Sequence, residues 1–319
     1  MRSSDHSDIV KLFEMTDKPK VKFAPKTDKE GFKVIAKYAL EKSFADFNFR
    51  TLKRSAKFTA EYKKYEQEVK EKRAAQPRGK KDKEARVSDL LLPRFEKEFV
   101  DRFHNYFVSS KFEKTEDFDV WHHTTCEMFM DIMNSEGEYE NKYTKAYDSL
   151  KYGKAQKIVN MMFKHFYCID GAYDYKEHFK YCHMVLDNYT LEWFDTRNIG
   201  KRIDSWSNIV YAEPSVNKND YMYYQSKIRD YFDSVNNETY RDVANEALTP
   251  FKAEFYIWPE MQWEMSARGV TAQNILKEMN NVGHIIANDR EIVKLCDDII
   301  NYATKLKEYY RLSIKPTKD

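Results

Sequence analysis

The chain has 319 residues, of which 42% are hydrophobic and 33% charged, and its formal net charge is +2. This composition supports a folded core, excludes wholesale disorder, and lacks the strong basic excess of a dedicated nucleic-acid coat protein. Glycine and proline number only 8 each, which disfavours turn-rich β-sandwiches and barrels and favours long helices.

The sequence shows no targeting or membrane-spanning segment, and it has four cysteines. Residues 1–13 contain no apolar run of the kind that forms a secretory signal, and no stretch approaches the roughly 20 apolar residues of a membrane span. We therefore expect a soluble, cytoplasmic protein that does not bind a membrane. The cysteines are widely spaced, which favours free buried thiols over disulfides in a cytosolic protein; they are Cys126, Cys168, Cys182 and Cys296.

The first part of the chain is predicted to be an arm, a helix and a charged linker. Pro19 and Pro25 bracket a short extended or β piece, and a helix is expected to begin near Asp28, where acidic and polar residues suit a first turn. Residues 59–86 are dense in charge and predict a solvated helix followed by a flexible basic linker. Two alternatives remain for the linker, a solvated spacer or a loop that contacts phosphate.

Helical periodicity continues through the rest of the chain. Ser88 is expected to cap an amphipathic helix rich in phenylalanine, and Asp117 or Asp119 to cap the next. The further predicted helices are 141–168, 175–182, 187–197, 219–235, 238–247, 250–265, 271–287 and 289–312. We expect a mainly α, multi-helix globular fold in three regions: an N-terminal helical region with the basic linker (1–87), a helical core (88–268) and a C-terminal helical pair (269–319).

Segment 152–168 places a row of lysines beside an apolar face. On a helix, Lys154, Lys157 and Lys164 follow one ridge, together with Asn160 or Met161. Neighbouring positive charge and partial burial both favour the neutral amine of a lysine, so this ridge predicts a nucleophilic amine at Lys157. The alternative is that these lysines solvate a surface face.

Asp187 follows the apolar run 184–186 and stands where a helix is expected to begin. An apolar approach to a helix N-terminus predicts a buried carboxylate aimed into a site. The alternative is an ordinary N-cap aspartate.

These two segments resemble the helix-hairpin-helix DNA glycosylases, in particular the archaeal 8-oxoguanine branch. In KIVNMMFKHFYC, Lys157 matches the family's lysine nucleophile, and in HMVLDNYTLEWF, 30 residues further on, Asp187 matches its catalytic carboxylate. A third segment, TPFKAEFYIWPE, places Glu254 and Trp258 where the family reads and stacks the base. The resemblance covers roughly residues 90–265, and only Gly153 stands where the family's hairpin has several glycines around a phosphate-binding turn.

The resemblance implies a two-lobed helical fold, here with extra N- and C-terminal helices. It implies an enzyme that extrudes and excises a damaged or modified base from DNA, in repair or in defence against modified phage DNA, and that needs no metal or cofactor. The catalytic residues are expected to be Lys157 and Asp187. The expected substrate-binding residues are Glu254, Trp258, Lys154, Asn160 and Lys164. The expected contacts with the DNA backbone are Gly153, Arg78, Lys80, Lys81 and Lys83.

A second cluster has the donor types of a zinc site. His122 and Cys126 are four residues apart on one predicted helix, and Cys182 and His183 are adjacent elsewhere. The alternative is that His122 satisfies a hydrogen bond in the core. The absence of P-loop, dinucleotide, G-x-S-x-G and H-E-x-x-H motifs counts against common NTPases, dehydrogenases, hydrolases and metalloproteases.

The alternative to an enzyme is a non-enzymatic helical module that binds nucleic acid or protein, with the C-terminal helices as a surface for self-association. Tyrosine is abundant, with 23 residues, and rings among lysines can stack on bases, although they also suit helix packing. The identity of the base and the oligomeric state are left open by the sequence.

Overall fold

The computed structural model describes residues 18–45, 52–54, 56–75, 85–109, 112–140, 147–203, 205–211, 220–234 and 248–282. The α-helices in these ranges are α1 (Lys29–Ala45), α2 (Ala56–Ala74), α3 (Val87–Ser109), α4 (Thr115–Glu136), α5 (Tyr152–Tyr167), α6 (Lys176–Phe179), α7 (Asn188–Thr196), α8 (Tyr221–Ser234) and α9 (Pro250–Val282). The prediction of a mainly helical fold is confirmed. Short 3₁₀ turns lie at Ala172–Tyr175 and Trp206–Asn208.

The chain divides into two compact units, Met1–Met261 and Gln262–Asp319. Within the first unit, α1 packs against both α3 and α5. The three regions predicted from the sequence stay a prediction.

Helix α5 is the centre of the first unit. Its apolar side chains, including Ile158, Val159 and Phe163, are buried, and the helix packs against α1 on one side and α4 on another. The phenylalanine stripe of α3 meets it: the ring centroid of Phe103 lies 5.0 Å from that of Phe163 and 5.2 Å from that of Phe166. Edge-to-face and tilted contacts of this kind favour a specific packing of aromatic rings, and they hold α5 in a fixed position.

A small antiparallel sheet accompanies the helices. Its strands are β1 (Leu52–Arg54), β2 (Gly137–Glu140) and β3 (Tyr147–Asp148), in the order β1-β2-β3. Leu52 pairs with Tyr139, and Tyr139 with Asp148.

The continuous helix predicted over 141–168 is therefore wrong at its start, since α5 begins only at Tyr152. Residues 141–146 lie outside the described ranges. Strand pairing gives the backbone of Tyr147 and Asp148 other partners, and the amide of Leu150 donates to Asn134 Oδ1 at 2.6 Å. Tyr147, Asp148 and Ser149 are also residue types of modest helix propensity, so they do little to extend the helix N-terminally from Tyr152.

Two predicted helix starts need correction. Helix α3 begins at Val87, ahead of the predicted cap Ser88, and the Asp89 carboxylate accepts from the amide of Arg86 at 2.8 Å. Helix α4 begins at Thr115, before both predicted caps, and Asp119 is instead used in an ion pair described below. The helix predicted near Asp28 is confirmed, with the Gly31 amide donating to Asp28 Oδ1 at 2.8 Å.

Two further segments differ from expectation, and two others lie outside the described residues. The helix predicted over 271–287 does not start separately, because α9 runs unbroken from Pro250 to Val282. The piece at 21–23 is not a strand, although the Phe23 amide donates to the Asp170 carbonyl at 2.7 Å and the Phe23 ring is buried. The helices predicted at 238–247 and 289–312 lie outside the described residues.

Candidate functional site

Asp187 has two roles at once, because its two carboxylate oxygens have different partners. It is the N-cap of α7: Oδ1 accepts from the amides of Tyr189 and Thr190 at 2.9 and 3.2 Å, and Thr190 Oγ1 accepts from the Asp187 amide in return. This capping box fixes the carboxylate to the start of the helix. The interpretation of Asp187 as an N-cap is confirmed, and the residue is buried. Its role in a catalytic site stays a prediction.

The second oxygen of Asp187 meets the predicted nucleophile. Lys157 Nζ on α5 lies 3.6 Å from Asp187 Oδ2, with the side chains 20% and 7% exposed. The indole N–H of Trp258 on α9 donates to the same oxygen at 3.1 Å. The structure thus brings together three of the residues that the resemblance singled out, Lys157, Asp187 and Trp258. In this arrangement Trp258 is a hydrogen-bond donor to the carboxylate.

Gln156 explains why the lysine and the carboxylate meet. Its buried side-chain amide donates to the Leu186 carbonyl at 2.7 Å and accepts from the Leu186 amide at 3.2 Å. Each of these residues directly precedes a member of the pair, so the double hydrogen bond fixes Asp187 relative to Lys157. No local sequence pattern predicts this contact, because the two partners lie 30 residues apart in the chain.

The lysine ridge faces an aromatic ring that the sequence analysis missed. Lys157 Nζ and Lys154 Nζ lie 5.2 and 6.0 Å from the ring centroid of Trp206. Burial, together with the positive charge of Lys157, lowers the pKa of Lys154. The electrostatic effect was predicted at Lys157 and is found one helical turn earlier, at Lys154.

Gly153 is the docking point of the Trp206 turn. Its amide donates to the Ile209 carbonyl at 2.9 Å, and a Cβ atom at this position would lie 2.0 Å from the Trp206 carbonyl oxygen. Glycine is therefore required here for a close backbone approach. The predicted contact of Gly153 with DNA stays a prediction.

Asn160 lies inside the core, away from the exposed end of the ridge. Its amide donates to the hydroxyl of Tyr221 at 2.9 Å and to Gln156 Oε1 at 3.0 Å, and its Oδ1 lies 2.8 Å from His122 Nε2. The interpretation that His122 satisfies a core hydrogen bond is confirmed. Within the described residues no group of three His, Cys, Asp or Glu side chains could hold a metal ion. A substrate contact for Asn160 stays a prediction.

A neighbouring ion pair was not anticipated. Asp119 accepts two hydrogen bonds from the Arg229 guanidinium, at 2.9 and 2.6 Å, and lies 2.7 Å from His183 Nε2. Burial opposes ionisation of Asp119, but the hydrogen bonds from His183 and Arg229 outweigh it and hold the pKa of Asp119 below its usual range. Burial also lowers the pKa of His183 to about 4, so this imidazole is neutral at physiological pH. The cluster ties α4 to α8.

Lys164 and Glu254 form a second buried pair, behind the first. Their Nζ and Oε1 atoms are 2.6 Å apart and the side chains are 4% and 1% exposed, while Glu254 Oε2 accepts from the Val185 amide at 3.2 Å. Burial raises the pKa of Glu254, and Lys164 opposes that rise. The pair joins α5, α9 and the segment that leads to Asp187. Substrate contacts for Lys164 and Glu254 stay predictions.

This pair gives a prediction about stability. Lys164→Met leaves the Glu254 carboxylate buried without its cation, and we expect the free energy of unfolding to fall by about 3–5 kcal/mol at neutral pH. The loss should be smaller at mildly acidic pH, because a carboxyl with a raised pKa in the folded state takes up a proton there and no longer carries an unpaired charge. Denaturant unfolding at the two pH values measures both effects.

The matched control is the double variant Lys164→Met/Glu254→Gln, which removes both charges and keeps an acceptor for the Val185 amide. It should recover much of the lost stability and show no comparable pH dependence. Equal destabilisation of the single and double variants at both pH values contradicts the electrostatic explanation.

The basic linker lies outside the described residues, so Arg78, Lys80, Lys81 and Lys83 stay predictions. The described cysteines, Cys126, Cys168 and Cys182, are buried and free, as expected.

No model of a known protein family, no curated protein and no solved structure matches this chain. The two-lobed glycosylase architecture therefore remains an expectation, and the function has to be inferred from the geometry of the site.

Across the described residues, no helix combines the length and the apolar character needed to cross a lipid bilayer.

Proposed function

We propose that the chain is a DNA glycosylase-like enzyme that extrudes a damaged or modified base and excises it, in repair or in defence against modified phage DNA. The single observation that supports this most is the Lys157–Asp187 pair, a partly exposed amine 3.6 Å from a nearly buried carboxylate. A lysine and an aspartate delivered by two elements are the groups that the glycosylase resemblance requires. A base inside a stacked duplex is out of reach of such a pair, so extrusion is part of the proposal.

The chemistry assigns one role to each member of the pair. The Lys157 ammonium first loses a proton to water, and the neutral amine then attacks the sugar C1′. The C1′–N bond breaks with its electron pair going to the base, and the departing base takes up the proton that the attacking amine gives up. Asp187 stabilises the positive charge that develops on the sugar. The covalent intermediate is an imine of Lys157 with the opened sugar, and water hydrolyses it to regenerate the amine.

The second oxygen of Asp187 is well placed for this role. Because Oδ1 is held by the α7 cap and Oδ2 by Trp258, the carboxylate is fixed before substrate arrives. Preorganised charge stabilises a transition state without the cost of reorienting it during the reaction. The cap and the indole therefore support Asp187 as an electrostatic group.

Incubation with genomic DNAs of different modification status tests the function. We expect abasic sites and a released free base from at least one modified or damaged DNA, identified by mass spectrometry. Salt-sensitive DNA binding with no base release favours the non-enzymatic nucleic-acid-binding module. Concentration-dependent self-association without DNA binding favours the protein-interaction module.

The basic linker gives a prediction about DNA affinity. If its side chains contact phosphates, changing Arg78, Lys80, Lys81 and Lys83 to glutamine should weaken duplex binding and reduce the slope of log K against log salt by up to ~0.9 for each lost contact. Fluorescence anisotropy over a range of salt concentrations measures the slope.

A matched control removes the same amount of charge elsewhere, at exposed lysines of α2: Lys57, Lys63, Lys64 and Lys72. This control should keep the parent slope, since only direct phosphate contacts release counterions in proportion. Identical binding curves for the parent and the linker variant at every salt concentration support the solvated spacer.

A further inference from the structure

The turn Trp206–Asn208 docks on the first turn of α5, and the residue at 153 permits it. The Gly153 amide donates to the Ile209 carbonyl at 2.9 Å, and the Trp206 carbonyl oxygen occupies the space that a Cβ at position 153 would need. Any other residue has to displace the turn. The turn is thus attached to the helix that carries Lys157, one helical turn before it.

This docking brings the Trp206 ring under the lysine ridge. Its centroid lies 5.2 Å from Lys157 Nζ and 6.0 Å from Lys154 Nζ. An ammonium over the face of a tryptophan is attracted by the negative charge of the π face, and tryptophan is the strongest of the aromatic side chains in this respect. The attraction acts on the charged form of lysine, so it favours the ammonium over the neutral amine.

We infer that Trp206 is a positioning residue of the site, whose indole ring holds the Lys157 ammonium beside Asp187 before substrate binds, with Gly153 as the position that lets the ring reach it. The importance of this placement for catalysis rests on the proposed function. The placement itself does not, because it concerns the lysine, the ring and the carboxylate alone.

Few charged groups surround Lys157 in the described part of the chain, so the contribution of the Trp206 ring to its electrostatic environment can be measured. Within the described residues, two charged groups are placed against Lys157. One is Asp187, at 3.6 Å. The other is Lys154, whose own pKa is lowered by burial and by the charge of Lys157. The Lys164–Glu254 pair lies behind Asp187. Residues 205–211 carry no charged side chain, and Trp258 meets Asp187 as a neutral donor. Asp187 and the Trp206 ring thus attract a positive charge at Lys157 Nζ, and Lys154 repels it.

Competitive acetylation of the full chain with acetic anhydride, read at Lys157 by mass spectrometry over a range of pH, tests this inference. Trp206→Leu removes the ring, and we expect the pH midpoint of Lys157 acetylation to fall by roughly half a unit, with acetylation at neutral pH about two- to fivefold faster. The sign follows because loss of the ring destabilises the ammonium, so the neutral amine forms at lower pH. Trp206→Phe keeps an aromatic face and should return the midpoint toward that of the parent.

Two more variants separate positioning from general loosening. Gly153→Ala should reproduce the shift of Trp206→Leu, because it displaces the turn. Tyr211→Leu removes a ring of the same segment that stacks on His123 at 3.6 Å, and it should leave the midpoint in place. A merely structural role raises the acetylation rate at every pH by exposing the lysine and leaves the midpoint unmoved.

An unmoved midpoint in Trp206→Leu, or an equal shift in Tyr211→Leu, overturns the inference. The measurement uses no DNA, so its result is independent of base release. If no base is released but the midpoint shifts, the role of Trp206 is supported and the proposed function fails. If base is released but the midpoint does not shift, only the role of Trp206 is contradicted.

Discussion

Replacing Asp187 with asparagine is expected to slow base release by about two to three orders of magnitude while the fold and the affinity for DNA are kept. Asparagine caps a helix as well as aspartate does, so the hydrogen bonds from the amides of Tyr189 and Thr190 persist. The change removes the negative charge that faces Lys157 at 3.6 Å. Single-turnover kinetics measure the loss, since they report the chemical step without product release.

Asp187→Ala is the matched control for the cap. It removes both the charge and the side-chain acceptor, so we expect the same kinetic loss and a further destabilisation of about 1 kcal/mol. Thermal unfolding of the two variants separates the two roles of the residue. A single-turnover rate of Asp187→Asn equal to that of the parent removes Asp187 from the mechanism.

Lys157→Gln is expected to abolish covalent trapping on a substrate that the parent cleaves. An amine that attacks C1′ forms an imine with the opened sugar, and borohydride reduces that imine to a permanent link between protein and DNA. Glutamine has no amine, keeps a polar side chain of similar reach, and leaves Asp187 capped in place. Denaturing gel electrophoresis of labelled DNA after reduction measures the adduct.

Lys154→Gln is the control one turn earlier on the same ridge, and it should retain trapping, because Lys157 and not Lys154 is paired with Asp187. Loss of the adduct in Lys154→Gln but not in Lys157→Gln shifts the nucleophile by one helical turn, to the lysine whose pKa is lowered. Base release without any adduct assigns the attack to water and leaves Lys157 the role of positioning DNA.

The sequence predicted the helical part of the fold well, because periodicity reports which face of a helix is buried. The stripes of α1, α3 and α5 are buried as expected. The predicted start of α5 was wrong because Tyr147 and Asp148 pair with strand β2. The predicted cap of α3 was wrong because the helix begins one residue earlier, and that of α4 because Asp119 pairs with Arg229, 110 residues away. A residue that suits a cap by type is used elsewhere when a stronger partner from a distant element reaches it.

Some residues of the candidate site could be predicted from the sequence and others could not, for a physical reason. Lys157 and Asp187 lie on segments with clear helical signals, and the structure brings them together. Trp206 lies in a stretch with no periodicity, so only the folded chain shows that its ring faces the lysine ridge. Gln156 acts through a backbone 30 residues away, a contact that no local pattern encodes.

The most direct test of the central claim is a count of free bases and abasic sites in one reaction. We predict that the parent protein releases base and forms abasic sites in equal numbers on a modified or damaged DNA, and that Lys157→Gln and Asp187→Asn reduce both together. Across a panel of genomic DNAs of different modification status, base release that never exceeds the level of these two variants contradicts the assignment of a glycosylase.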